Sequence, residues 1–333
     1  MLECNHMFGL PDGILSSSAL RVGGLTPRSR IHLRRFAGPL TYVGQMSPLR
    51  VAHLTDQHVG KVTPFSIQLE AVAKANAESP DLVVLTGDFV CHSQLYLDQL
   101  TEVVSLFRVP VLAVLGNHDH WAGANEVKEA LRKGGAEVLC NQNTTITLGS
   151  QKLQVVGLDD AYTGHARIDE ATKGLRNDLP VLGLSHIAEE ADALWARHVP
   201  FVLSGHTHAG QITVARLHEL ASGRLFGHRY VHGLYGNRAN RPDGQAHGAV
   251  YVGAGIGAAI MPIRVGDRGR REVTIFELGV APGSFEEHHK EQPTLDGRKP
   301  SAALVAKRAR QVVEKRERRE RQEQNGGRIP PKS

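Results

Sequence analysis

Five short stretches of the chain concentrate the side-chain types that bind divalent cations: DQH at 56–58, GD at 87–88, GNHD at 116–119, SH at 185–186 and GHTH at 205–208. Taken singly they are weak signals. A lone DxH is most often a turn or a cap, and isolated GD and SH pairs say less. Their setting changes the reading, because each stretch directly follows an apolar, β-branched run. LRVAHLT leads to Asp56 and His58, DLVVLTG to Asp88, VPVLAVLG to Asn117, VLGLS to His186, and PFVLSG to His206 and His208. In open α/β sheets ligands bind beyond the carboxyl ends of the strands. Five such ends would bring two carboxylates, one amide and four imidazoles to one rim. The chemistry that needs this set is two-metal phosphoester hydrolysis, in which a shared carboxylate and about three further ligands per ion hold two cations roughly 3.5–4 Å apart. Mixed oxygen and nitrogen ligands without thiolate suit Mn, Fe or Zn, and four histidines speak against Mg and Ca. Two divalent ions are therefore expected, with Mn favoured. They would generate hydroxide near neutral pH and polarise the phosphoryl oxygens.

The elements that must position these residues are legible as alternation. From 49 to 205 strand-like runs alternate with segments at helical spacing, FSIQLEAVAKANAES, LYLDQLTEVVSLF and ANEVKEALRKGG, which indicates strand–helix units and a largely parallel sheet. Asp56 and Asp88 stand 32 positions apart, about one strand–helix–strand unit. AEVLCN, TTITLG, KLQVVGLD, GAVYVGAGIG and REVTIFEL read as further strands, a second group of more antiparallel character. The expected fold is α/β, a two-sheet β-sandwich flanked by helices in α-β-β-α layers. Three regions are expected: an irregular lead-in over 1–47, one domain over 48–279, and a charged tail over 280–333 that is a solvated helix or disordered.

The order and spacing of the five stretches resemble the five motifs of the calcineurin-like metallophosphoesterases, over about 49 to 278. GNHD followed by GHTH, in order and at strand ends, is the specific part of that likeness. The resemblance implies that Asp56, His58 and His208 hold one metal, that Asn117, His186 and His206 hold the other, and that Asp88 bridges. It implies that His118 contacts the substrate phosphate, stabilises the transition state and protonates the leaving group, and that Asp119 orients its ring. PDLVVLTGDFV, GNHDHWAG, GLDDAYTG, SGHTHAGQ and MPIRVG…EVTIFEL are similar to a bacterial branch of phosphohydrolases that includes enzymes cleaving the pyrophosphate of UDP-diacylglucosamine. His120 in place of a usual Tyr, the missing Asn-Pro after His186, and Ala209 in place of Gly depart from it. These changes neighbour ligands without replacing them.

Composition bounds the rest. No apolar run approaches the ~20 residues of a membrane span. Arg34-Arg35-Phe36 resembles a twin-arginine start, but AGPLTYVGQM after it is too short and broken for a signal core. A cytoplasmic location is expected, with a membrane-peripheral place through the tail, or export behind a mis-assigned start, as alternatives. Three cysteines without CxxC spacing exclude a disulfide framework or a cysteine-built zinc site. The net charge of +5 is carried by residues 301–333, which alone hold +6, so the high pI describes the tail. The tail lacks interleaved aromatics, so nucleic acid is not the expected partner, though a nuclease remains the rival reading. The expected partner is a small phosphoester, mono- or diester, cleaved by metal-bound hydroxide; a nucleotide-diphospho-lipid pyrophosphatase is an alternative. A non-catalytic scaffold is disfavoured because every ligand position is filled. His53 reads as a satisfied core histidine. His92, His120, His165 and His247 read as ordinary loop histidines or substrate contacts, Asp159-Asp160 as a strand-end turn or pocket wall, and His288-His289 as unstructured.

Overall fold

The computed structural model describes residues 30–91, 93–210, 227–239, 248–258, 264, 266–295, 297 and 300–324. His92 and His247 lie outside them. In chain order the strands are β1 (Ile31–Ala37), β2 (Leu49–Leu54), β3 (Leu82–Thr86), β4 (Val111–Val114), β5 (Ala136–Val138), β6 (Gln142–Leu148), β7 (Gln151–Gly157), β8 (Val181–Leu184), β9 (Phe201–Ser204), β10 (Gly233–Gly236), β11 (Ala249–Val252) and β12 (Arg271–Leu278). The helices are α1 (Phe65–Ala77), α2 (Leu97–Ser105), α3 (Asn117–Ala122), α4 (Ala124–Lys133), α5 (Ile168–Ala171), α6 (Ala191–Trp195) and α7 (Ala302–Gln324).

Two six-stranded mixed sheets form, in the orders β1-β12-β2-β3-β4-β5 and β10-β11-β9-β8-β7-β6. Side chains alternate across each strand, and three apolar layers result. Val51, Val84 and Leu112 of the first sheet meet Val155, Leu182, Phe201 and Leu203 of the second in a central core. Ala52, Leu54, Val83 and Leu85 face the other way, onto residues of α1, α2 and α4. On the outer face of the second sheet Val156, Val202 and Val250 pack on Ala191 and Leu194 of α6. Helix–sheet–sheet–helix layering follows, as expected. Burying each large apolar side chain contributes about 1.5–3 kcal/mol.

Four expectations need correction. The five ligand-bearing runs do not share one sheet: β2, β3 and β4 lie in the first, β8 and β9 in the second. Nor is the second sheet mainly antiparallel. β11, β9, β8 and β7 run parallel, and only its edge strands β10 and β6 are antiparallel. Apolar periodicity reports that a strand is buried and is silent on which strand lies beside it. The lead-in over 1–47 contains β1, which pairs in parallel with β12, so Arg34-Arg35-Phe36 is strand, with Phe36 in the central core. Past 279 the chain stays on the domain. Glu287 and Glu291 pair with Arg238, and His289, rather than being unstructured, lies 4.8 Å from the Phe36 ring.

A buried polar cluster ties β1 and β12 to the loop after β11. Glu272 accepts from Arg34 Nε at 2.6 Å, Tyr251 Oη at 2.8 Å and the Ala254 N–H at 2.9 Å, and lies 3.1 Å from His232 Nε2. Burial resists its ionisation, but His232 and Arg34 hold it well below the usual 4.5. Glu272→Gln leaves the buried Arg34 charge with only the exposed Asp267 carboxylate at 3.8 Å and is expected to destabilise the fold by about 3 kcal/mol at pH 7. A folded pKa below the unfolded one stabilises above the unfolded value, and that stabilisation is lost as pH falls through the folded value. The cost should therefore be full above pH 4.5 and shrink in strong acid. Urea unfolding at two pH values reads this, and a loss under about 1 kcal/mol at pH 7 would refute the pair's role.

Candidate metal centre

The ligand-type residues sit where the strands stop, in backbone that L-residues adopt reluctantly. Asp56, His58, Asp88, His206 and His208 have φ of 50°, 43°, 56°, 77° and 50°. Such left-handed turns cost of order 1–3 kcal/mol each and cluster at functional sites. The preceding glycines are required by close packing. A Cβ on Gly116 would stand 2.3 Å from Asp88 Oδ1, and one on Gly205 would stand 2.4 Å from Asp56 Oδ2. Gly87 adds a positive φ of 86° to a virtual Cβ contact of 2.6 Å with the Gly116 nitrogen.

Among the described residues two groups of potential ligand atoms converge within 4.8 Å: Asp56, His58, Asp88 and His208, and Asp88, His186 and His206. Asp88 belongs to both and splits its oxygens between them. Oδ2 lies 3.6 Å from His58 Nε2, and Oδ1 lies 3.4 Å from His186 Nε2. His208 Nε2 is 3.3 Å from Asp56 Oδ1 and 3.0 Å from His58 Nε2. Asn117 Oδ1 is buried without a hydrogen-bond partner, as are Asp56 Oδ1, His186 Nε2 and His206 Nδ1. Buried polar atoms are ordinarily paired. A set of lone-pair donors left bare in one place fits cations.

Outer partners fix the rings. A carbonyl only accepts, so the 2.7 Å contact of His186 Nδ1 with the Thr86 oxygen puts a proton on Nδ1 and turns Nε2 to the centre. Thr55 Oγ1 and the His206 N–H hold Asp56 Oδ2 at 2.8 and 3.0 Å. Charge balance tells the same story. Burial opposes protonation of His186, yet Asp88 and Asp56 push it up to about 10, whereas burial drives His58 and His208 down to about 3. The carboxylates demand positive charge, and most of the imidazoles are kept neutral, the form that ligates metal.

Asn117, His118 and Asp119 open α3, a six-residue helix whose brevity hides it from periodicity. His118 Nδ1 donates to the Cys91 carbonyl at 2.6 Å, and Nε2 lies 3.9 Å from Asp88 Oδ2. The expected orienting role of Asp119 is corrected here. Its carboxylate accepts from the N–H groups of Asp88, Phe89, Val90 and Gly116 at 2.8–3.3 Å, and His118 is turned by Cys91 instead. Asp119 fastens the GD loop to the start of α3.

His53 is a core histidine, 2.8 Å from Thr86 Oγ1, and burial lowers it to about 3. His120 is held by Asp159 at 2.8 Å and stacks on His165 at 4.1 Å. Asp160 closes its own turn onto Tyr162 and Thr163. Three neighbours of the site were not singled out by sequence. Trp121 packs 4.8 Å from the His118 ring, His228 lies 5.4 Å from His206, and the Arg264 guanidinium lies 3.4 Å from His208 Nδ1. Trp121, within GNHDHW, was the one with a signal, an aromatic on the next turn of a ligand-bearing helix.

Strand-end carboxylates and imidazoles sharing Asp88 define the class, a metal-dependent phosphoester hydrolase with a site for two divalent cations. Residues 49–210 match the family model of calcineurin-like phosphoesterases, and over that stretch the chain is similar to proteins of the metallophosphoesterase superfamily. It is similar to phosphodiesterase YaeI of Escherichia coli, 29% identical with 59% of this chain and 80% of that protein covered. It is also similar to the uncharacterized metallophosphoesterase YkuE of Bacillus subtilis, 26% identical with 69% and 78% covered. The solved NAD nucleotidase of Haemophilus influenzae shares 14% identity at a TM-score of 0.46, over 64% of this chain and 46% of that one, too partial a likeness to bear on activity. Among the described residues no helix is long and apolar enough to cross a membrane.

Proposed function

We propose that the chain hydrolyses a small phosphodiester, with Asp56, His58 and His208 on one cation, Asn117, His186 and His206 on the other, and Asp88 on both. The division of the Asp88 oxygens between two ligand groups carries this reading. Similarity to a protein named a phosphodiesterase favours diester over monoester, and the nitrogen-rich donor set favours Mn. When bound, the cations lower the pKa of water and withdraw charge from the phosphoryl oxygens. The chain's own groups do the rest. His118 Nε2 lies beside the centre, where it gives its proton to the departing oxygen as the P–O bond breaks. Asp119 keeps the Gly116 and Asp88 backbones in register, and the Cys91 carbonyl keeps the His118 ring facing inward.

Bis(p-nitrophenyl) phosphate tests this directly. Chelated protein is expected to lose at least ~100-fold in rate, and Mn should restore both the rate and about two ions per chain. Substoichiometric metal after reconstitution, or a rate indifferent to chelation, would overturn the proposal.

A further inference from the structure

The C-terminal helix does not stand clear of the site. One stripe of α7, Val305, Arg308, Ala309 and Val312, is half-buried, while the residues between them are exposed. Val305 Cγ1 comes within 3.1 Å of where a Gly164 Cβ would stand. Two cations on this helix lie on aromatic rings that border the metal centre. The Arg308 guanidinium carbon is 3.6 Å from the Tyr162 ring centroid, and Lys315 Nζ is 4.4 Å from that of Trp121. Tyr162 in turn lies 5.2 Å from the His206 ring, and Trp121 lies 4.8 Å from that of His118. A cavity of about 50 Å³ is lined by Tyr162, His206, His228, Val305 and Arg308, so helix and ligand share a wall.

The pairing of charges along α7 is uneven. On its distal half Arg316 pairs with Glu320 at 2.8 Å and Arg321 with Glu317 at 3.2 Å. Among the described residues neither Arg308 nor Lys315 has a carboxylate partner. A guanidinium stacked by its face keeps its N–H edge for an acceptor, and an ammonium on a ring keeps donors of its own. Seven residues separate the two, about 10.5 Å along the axis, so they flank the mouth on the His206 and His118 sides. Two carboxylates line the same cavity: Glu189 accepts from His228 Nδ1 and the Arg229 N–H, and Glu190 is buried beside it.

We propose that α7 is a recognition element: Arg308 and Lys315 bind a second phosphate of a substrate whose scissile phosphate lies at the metal centre. This rests on the phosphoesterase reading above. The favoured substrate is a compact phosphoester that carries a further phosphate besides the one cleaved.

The matched probes are thymidine 3′,5′-bisphosphate and thymidine 5′-phosphate, titrated calorimetrically into the full Mn-loaded chain. Wild type should bind the bisphosphate about tenfold more tightly, the worth of one or two charge-assisted hydrogen bonds. Arg308→Gln with Lys315→Gln should bring the two within about twofold by weakening the bisphosphate, and Arg308→Lys with Lys315→Arg should restore the preference. The same ratio should appear, mainly in KM, in hydrolysis of thymidine 5′-(p-nitrophenyl phosphate) with and without a 3′-phosphate. A wild type that does not discriminate, or a double glutamine variant that still does, overturns the proposal. If wild type cleaves neither ester, the phosphoesterase reading fails, and the binding ratio still decides the role of the two cations.

Discussion

Asp88→Asn is expected to leave a folded protein that holds neither cation well. Asparagine keeps the shape and one acceptor for the His118 N–H, which Asp88 Oδ1 now receives at 2.9 Å. It removes the charge that both ligand groups share. Burial opposes ionisation of Asp88, but His186 and His118 hold its carboxyl well below the ordinary range, so the wild-type group is an anion at neutral pH. Loss of an outer partner alone costs 10–100-fold in metal affinity. Loss of a shared ligand acts at two positions, so hydrolysis should fall on the order of 10⁴-fold at low Mn. Metal content and kcat/KM, with circular dichroism as the control for folding, read the outcome. Retention of two ions with kcat within about threefold of wild type would remove Asp88 from the bridging role.

His118→Gln should separate chemistry from metal capture. His118 lies beside the ligand groups, and its Nδ1 is committed to the Cys91 carbonyl, so its removal should leave the ion content unchanged. A general acid contributes about 10²–10⁴-fold, and the contribution grows with the basicity of the departing oxygen. The loss should be small for p-nitrophenolate and should approach the upper figure for an alkyl leaving group. A uniform loss across leaving groups would assign His118 to phosphate binding alone, and a parallel loss of metal would make it structural.

The sequence made the site legible before the fold. Asp56, His58, Asp88, Asn117, His186, His206 and His208 could be named because residue type and strand-end position are both written locally. What stayed hidden depends on long-range contacts. Nothing in VLGLS or PFVLSG indicates that β8 and β9 join a different sheet from β2, because both sheets bury the same residue types. The four N–H groups that occupy Asp119 belong to two segments roughly thirty positions apart. Arg34 meets Glu272 across 238 positions. The docking of α7 was obscured for a different reason. It reaches the rim through cations on aromatic rings, and an apolar-periodicity reading scores those cations as solvent-facing.

The partition of the proposed ligands between sheets has a mechanical consequence. Asp56, His58, Asp88 and Asn117 follow strands of the first layer, and His186, His206 and His208 follow strands of the second. A cation shared among them is a cross-link between two layers otherwise joined by interdigitated apolar side chains. Ion binding thereby opposes sliding of one sheet over the other. By mass action each tenfold excess of free ion over its dissociation constant adds about 1.4 kcal/mol to the folded state. The loaded protein should therefore resist unfolding as a single block, with its weakest shear plane riveted at the end where the substrate enters.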